Sequence, residues 1–312
     1  MKMKRYLLFL LVAAASFFAN DELHAQQDPE FSQYMFNPLY INPGYAGSRG
    51  VMNGALVARR QWVGFNGAPN TIAFAVNAPT KKGKVGIGLE VVADQIGPKH
   101  TSAAYLDYAY RMNLGRGKLA FGLGAGVVSY RVNWGEVDYK DQGDAYAQLG
   151  STSITKPDFK FGFYFNNKHF YIGGSATHLN QEAYTVVKDS LTFSAKMTTH
   201  NFLTFGRAFQ LSDNVLFSPS VMLRSAKGIR QGNADLNLNF KFREALWLGV
   251  SLRSEKSLVA LVQYNITNAF KIGYSYDLTM SRLRTYQSGT HEIVLGFDLN
   301  LFQSQVLSPR FF

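Results

Sequence analysis

The sequence has no cysteine among its 312 residues, and no long apolar run follows residue 25. The absence of cysteine excludes a disulfide framework, on which many exported domains depend. A transmembrane helix needs about 20 consecutive apolar residues, so the chain beyond residue 25 offers no helical span. Neither absence excludes a membrane β-barrel, because its strands cross with only about 9–11 residues of alternating polarity.

Sequence signatures of catalysis and of metal or nucleotide binding are also missing. The six histidines form no zinc motif, and no Gly-x-Ser-x-Gly nucleophile elbow occurs. The glycine-rich run Gly122–Gly126 lacks the Lys-Ser/Thr of a phosphate loop, and we interpret it as packing space within a strand. The sequence therefore predicts a protein that is not an enzyme, with no metal site and no cofactor.

The first 25 residues resemble a secretion signal. Three basic residues at positions 2–5 precede an apolar run over 6–19, which is too short to span a bilayer as a helix. A tolerable cleavage site follows at Ala25. The formal net charge of +11 favours contact with anionic lipid or lipopolysaccharide over nucleic acid. We therefore expect an exported chain with residues 1–25 removed.

Apolar and polar residues alternate in many segments, most clearly between Asn233 and Arg243. A strand places the two sets on opposite faces, whereas a helix would scatter each of them. We count about 14 such segments, many about ten residues long, as expected for membrane-spanning strands. A charged side chain facing lipid costs about 2–4 kcal/mol, so we assign the apolar set to lipid and the polar set to the interior.

The connections between these segments alternate between tight turns, such as Lys81-Lys82-Gly83, and longer loops, of which 132–157 and 179–198 are the longest. Barrels have short periplasmic turns and long outer loops. The prediction is an all-β chain: a transmembrane antiparallel β-barrel of about 14 strands over residues 51–312. Residues 26–50 form a short periplasmic N-terminal segment, and both termini are periplasmic. A soluble all-β protein is the alternative, which strand length and turn alternation disfavour.

Two arginines are neighbours near the end of the first predicted strand. Adjacent strand residues face opposite sides, so one of Arg59 and Arg60 must point toward lipid. There it can extend to the headgroups, with Trp62 as an interfacial anchor. We expect Arg59, Arg60 and Trp62 to anchor the barrel in the membrane, and a ligand site at the arginine pair is the alternative.

The segment before the first strand is dense in aromatics, Asn and Pro. Two Asn-Pro pairs favour turns and extended backbone. Its aromatic side chains need a surface, which is either the barrel lumen, as a plug, or a partner protein. The candidate plug or partner-binding residues are Phe31, Ser32, Gln33, Tyr34, Met35, Asn37, Pro38, Tyr40, Asn42, Pro43 and Tyr45.

This segment also carries a family resemblance. The runs 31–38 (FSQYMFNP) and 40–47 (YINPGYAG), then 60–65 (RQWVGF), 289–293 (GTHEI) and 308–312 (SPRFF), resemble the PorP/SprF family of type IX secretion and gliding-motility membrane proteins of Bacteroidetes. Gly44 departs from the family, which more often has Ala there.

The resemblance implies a non-enzymatic outer-membrane component of the type IX secretion and gliding machinery. Such a component would anchor periplasmic parts of the machinery or hold exported adhesin cargo at the cell surface. Its implied partners are the periplasmic ring lipoproteins, a peptidoglycan-binding lipoprotein, and a secreted adhesin or its C-terminal domain. The alternative is a porin-like outer-membrane channel for small solutes, since a barrel of about 14 strands can enclose a lumen.

Overall fold

The computed structural model describes residues 28–141, 144, 150–181, 183–188, 191–226 and 232–300. The predicted signal segment, 1–25, and the closing motif, 308–312, lie outside the described residues. In the described ranges, no helix is both long and apolar enough to cross a membrane.

The described residues form a closed antiparallel barrel of 14 strands, as the alternating segments predicted. The strands are β1 (Met52–Arg60), β2 (Asn70–Pro79), β3 (Val85–Ile96), β4 (Lys99–Leu114), β5 (Gly117–Asn133), β6 (Ser151–Asn166), β7 (Phe170–Thr177), β8 (Ala183–Lys188), β9 (Leu191–Lys196), β10 (His200–Arg207), β11 (Phe209–Ser212), β12 (Val215–Ala226), β13 (Asn233–Phe242), β14 (Leu246–Arg253), β15 (Ser257–Asn265), β16 (Phe270–Thr279) and β17 (Thr290–Leu299). Strands β10 and β11 are two parts of one barrel strand, because both pair with β12. The β8–β9 hairpin forms a separate two-stranded sheet.

The barrel closes where the first strand meets the last. Strand β1 pairs antiparallel with β17, with Met52 opposite Leu299 and Arg60 opposite His291. Because of this pairing, neither the first nor the last strand is an open edge of the sheet, which lipid would not tolerate.

Side chains alternate across the barrel wall as the sequence predicted. In β13, Asp235, Asn237 and Asn239 are buried on the inner face, whereas Leu238 between them is exposed on the outer face. The large exposed side chains of other strands, such as Leu106 and Leu123, also point outward. The polar set thus faces the interior and the apolar set faces outward.

The two ends of the barrel differ. The short-turn end carries the connections 80–84, 115–116, 167–169, 213–214, 243–245 and 266–269, and the long-loop end carries the others. Two connections at the long-loop end are short, namely Gly97–Pro98 and 254–256. The first was expected to be longer; instead β3 and β4 continue their hydrogen-bonded ladder to Ile96 and Lys99, which satisfies backbone groups that a loop would leave to water.

The hydrophobic core lies inside the barrel. Residues 28–50, called here the plug segment, pack against the inner faces of the strands. The inner faces of β1 and β2 carry the small apolar residues Ala55, Ala73 and Ala75, which leave room for this segment. This packing explains why the middle of the inner face of β1 is apolar, at Ala55 and Val57, unlike the inner face of β13.

Candidate functional site

The plug segment folds into three short 3-10 turns, Tyr34–Phe36, Pro38–Tyr40 and Pro43–Tyr45. Each Asn-Pro pair starts a turn, since proline has its φ preset for the first helical position and needs no hydrogen-bond acceptor there. The Asn42 side chain accepts a hydrogen bond from the Gly44 backbone N–H at 2.8 Å. The Asn-Pro pattern therefore produces a compact chain rather than a regular helix or strand.

The plug segment begins at the long-loop end and finishes at the short-turn end. Asp28 contacts His178, which follows β7 at the long-loop end. Near its other end, the Gly47 N–H donates to Asn77 Oδ1 at 2.9 Å, and Arg49 pairs with Asp298 at 2.8 Å. The described chain thus begins at the end of the barrel opposite to where β17 stops, and both termini, which were expected to be periplasmic, lie outside the described residues.

Charged groups of the barrel wall hold Ser32 and Gln33. Their backbone N–H groups donate to the two carboxylate oxygens of Glu292 at 2.7 and 2.9 Å. Arg59 lies between Asp277 and Glu292, at 2.8 and 3.1 Å, and its guanidinium also donates to Ser32 Oγ. This buried network joins the plug segment to the first strand of the barrel and to its last two strands, β16 and β17.

Aromatic residues fill the lumen from its middle toward the short-turn end. The Tyr34 hydroxyl accepts a hydrogen bond from Asn237 Nδ2 at 2.6 Å. Tyr45, which has no exposed surface, packs edge-on against Tyr164, which in turn stacks on Tyr171. Burial raises the pKa of Tyr45 above its usual value, so its hydroxyl stays neutral. These rings pack inside the lumen below the long-loop end.

Nine of the eleven candidate plug or partner-binding residues are fully buried in the barrel interior: Phe31, Ser32, Gln33, Tyr34, Asn37, Pro38, Asn42, Pro43 and Tyr45. Met35 and Tyr40 are partly buried. Sequence reasoning missed Leu39 and Arg49, which are also buried, and the wall residues that receive the segment. The polar residues that alternate along β13, β16 and β17 could have indicated these wall residues from the sequence.

The structure corrects the membrane-anchoring role expected for Arg59. Its side chain is 3% exposed and forms ion pairs inside the barrel. Arg60 is the neighbour that points outward, and it is exposed. Trp62 is half-buried and borders a cavity at the long-loop end. Alternation required one arginine to face outward, and the acidic partners Asp277 and Glu292 decide that it is not Arg59.

A cavity of about 670 Å³ opens at the long-loop end above the plug segment. Asp28, Glu30 and Phe31 line its floor, and Arg224 and Arg253 lie in its wall. Glu30 forms an ion pair with Arg224. Burial opposes ionisation of Glu30, but Arg224, Arg253 and Arg59 outweigh it and lower the pKa of Glu30 below its usual value. The cavity is therefore lined by paired charges together with the apolar side chain of Phe31.

Comparison with known proteins identifies the family. The model of the family described as "Type IX secretion system membrane protein PorP/SprF" matches residues 23–297. No curated protein sequence matches the chain significantly.

Two solved structures were compared with this chain. The toluene transporter TbuX of Ralstonia pickettii is 12% identical with a TM-score of 0.52, covering 86% of this chain and 93% of TbuX. The outer membrane protein Omp33 of Acinetobacter baumannii is 8% identical with a TM-score of 0.45, covering 80% of this chain and 99% of Omp33. The likeness to TbuX concerns the fold alone. Because the family model spans most of the sequence, the chain belongs to the PorP/SprF family of type IX secretion system membrane proteins.

Proposed function

We propose that this protein is a non-enzymatic outer-membrane component of the type IX machinery that holds exported adhesin cargo, or its C-terminal domain, at the long-loop end. The observation that carries the proposal is the plug segment, which closes the lumen and leaves a cavity of about 670 Å³ open at that end. The proposal orients the long loops toward the cell exterior, as in other bacterial barrels. The cavity then faces the side on which exported cargo is retained.

The burial of the plug segment also bears on the periplasmic partners. Its aromatic residues pack within the barrel, so they do not offer a surface to a ring lipoprotein or to a peptidoglycan-binding lipoprotein. Contact with those lipoproteins would fall to the short turns, for example 80–84 and 115–116. This arrangement supports cargo holding as the role of the cavity, and anchoring as a separate role of the opposite end.

Filling the cavity should reduce cargo retention. Ser281 lines the cavity, and its side chain makes no capping hydrogen bond. In cells lacking the native protein, Ser281→Trp should retain at least about fivefold less cargo at the surface than wild type, a loss of roughly 1 kcal/mol in binding. Surface immunolabelling of the cargo measures this effect.

Ser288→Trp is the matched control, because Ser288 lies in the same connection, is exposed and does not line the cavity. It should display cargo as wild type does. Equal display by the two variants would contradict a role for the cavity in holding cargo.

The alternative function is a channel for small solutes. A conductance measurement distinguishes this function from cargo holding. The plug segment and the Tyr45–Tyr164–Tyr171 cluster fill the lumen, so the purified full chain should show little stable conductance in planar bilayers. Deleting residues 28–47 should raise the conductance, because the remaining inner face is largely polar. A stably open full-length barrel would instead favour the channel.

A further inference from the structure

Three potential metal ligands meet beside the cavity at the long-loop end. His178 Nε2 lies 2.9 Å from the Asp28 carboxylate, and His200 Nδ1 lies 3.0 Å from it. One ligand atom from each of the three residues lies within 4.8 Å of the others. Asp28 belongs to the plug segment, His178 follows β7 and His200 starts β10, so the cluster exists only in the folded barrel.

Hydrogen bonds on the far side of the imidazole orient His178. Its Nδ1 contacts Asp158 Oδ2 at 2.6 Å, and Asp158 has no exposed side-chain surface. The Tyr105 hydroxyl donates to the same carboxylate oxygen at 2.5 Å. Metal-binding histidines commonly donate their second ring N–H to a carboxylate, which fixes the ring and raises the basicity of the ligand nitrogen. Asp158 is therefore placed as the carboxylate that orients a metal-binding histidine in such a site.

His200 and the backbone at His178 add to this evidence. His200 Nδ1 is buried without a hydrogen bond, although it points toward Asp28. His178 has a φ of +55°, an uncommon conformation for a residue other than glycine, and such residues concentrate at functional sites. All three residues also line the cavity, which leaves space for water in a fourth position.

We propose that Asp28, His178 and His200 bind a divalent transition-metal ion of the Zn²⁺ type, which joins the plug segment to the barrel wall. Two imidazoles, a carboxylate and a water form a common tetrahedral donor set for Zn²⁺. Bonds of about 2.0–2.1 Å hold the ligand atoms roughly 3.3 Å apart, so the two contacts to Asp28, at 2.9 and 3.0 Å, need to open only slightly. The Asp158 carboxylate balances the positive charge that remains when both histidines are neutral. Sequence spacing gave no sign of this site, because its ligands come from three distant segments.

The test uses the full chain, purified in detergent without a polyhistidine tag and stripped with a chelator. Titration with Zn²⁺ should give one site per chain, and Co²⁺ should give the visible absorption of a tetrahedral site. His200→Gln should weaken Zn²⁺ binding at least about 10-fold. Zn²⁺ should also protect residues 28–50 from proteolysis in wild type but not in this variant.

His169→Gln is the matched control, since His169 lies in an exposed turn at the short-turn end. It should bind Zn²⁺ as wild type does. Asp28→Asn is the second test variant, because Asp28 lies outside the barrel strands and its substitution leaves the strand ladder intact. The proposal is overturned if wild type takes up no stoichiometric Zn²⁺, or if Asp28→Asn and His200→Gln bind it as tightly as wild type.

Discussion

Arg59→Met is expected to destabilise the folded barrel by about 3–5 kcal/mol, because it removes one partner of a buried ion-pair network. Arg59 lies 2.8 Å from Asp277 and 3.1 Å from Glu292, and all three side chains are buried. Without the guanidinium, the carboxylates of Asp277 and Glu292 are left together. Among the described residues, Arg253 is then the remaining cation paired with Asp277, at 3.5 Å. Urea unfolding in lipid vesicles, followed by the heat-modifiable shift on gels, measures the change in free energy of unfolding.

The neighbouring Arg60→Met is the control for this prediction. Arg60 has the same side chain on the same strand but points outward and is exposed. Its replacement should change the free energy of unfolding by less than about 1 kcal/mol, as for charged residues near the membrane interface. Equal effects of the two substitutions would contradict the assignment of Arg59 to the interior.

The ion-pair network of Arg59, Asp277 and Glu292 also predicts the stability of a double variant. Combining Arg59→Met with Glu292→Gln removes one of the two carboxylates that Arg59 pairs with. The combined loss of stability should be smaller than the sum of the two single losses, since residues in one network are coupled by about 0.5–3 kcal/mol. Additive losses would show that the ion pair contributes little.

Gly122→Val is expected to displace the plug segment while the barrel still forms. Gly122 lies on the inner face of β5, and a Cβ atom there would overlap the backbone of Pro43 and Gly44. Backbone cannot yield as a flexible side chain does, so overpacking should cost at least about 1–3 kcal/mol and expose Tyr45. Limited proteolysis within residues 28–50 and single-channel conductance should both increase.

Ala125→Val provides the comparison, because Ala125 lies on the same strand but faces outward and is exposed. Its effect on stability should stay within about 0.5 kcal/mol, and the plug segment should remain protected. A Gly122→Val protein whose plug segment resists protease as wild type does would show that the close contact at Pro43 and Gly44 is not needed for docking.

Gly122 also illustrates what could be predicted from the sequence and what could not. The run Gly122–Gly126 was interpreted as packing space within a strand, and the contact between Gly122 and the plug segment agrees with that interpretation. The sequence alone did not identify what the space accommodates. That information lies in residues 43–44, which are remote along the chain.

The Arg59–Arg60 pair shows a similar limit. Alternation along a strand is a local property, so the sequence required the two side chains to face opposite sides. Which of them faces inward depends on Asp277 and Glu292, more than 200 positions away, and on the Ser32 hydroxyl of the plug segment. The local pattern therefore allowed two orientations of the arginine pair, and tertiary contacts determine that Arg59 is the one facing inward.

The sequence by itself determined the barrel, its approximate number of strands and the alternation of apolar and polar side chains between its two faces. It could do so because lipid and water impose a period of two on every strand, and that period is visible in any short stretch of sequence. Only the tertiary structure decided that residues 28–50 lie in the lumen, that Arg59 is buried and that Asp28, His178 and His200 meet. Each of these features depends on contacts between segments that are brought together only when the barrel closes around the plug segment.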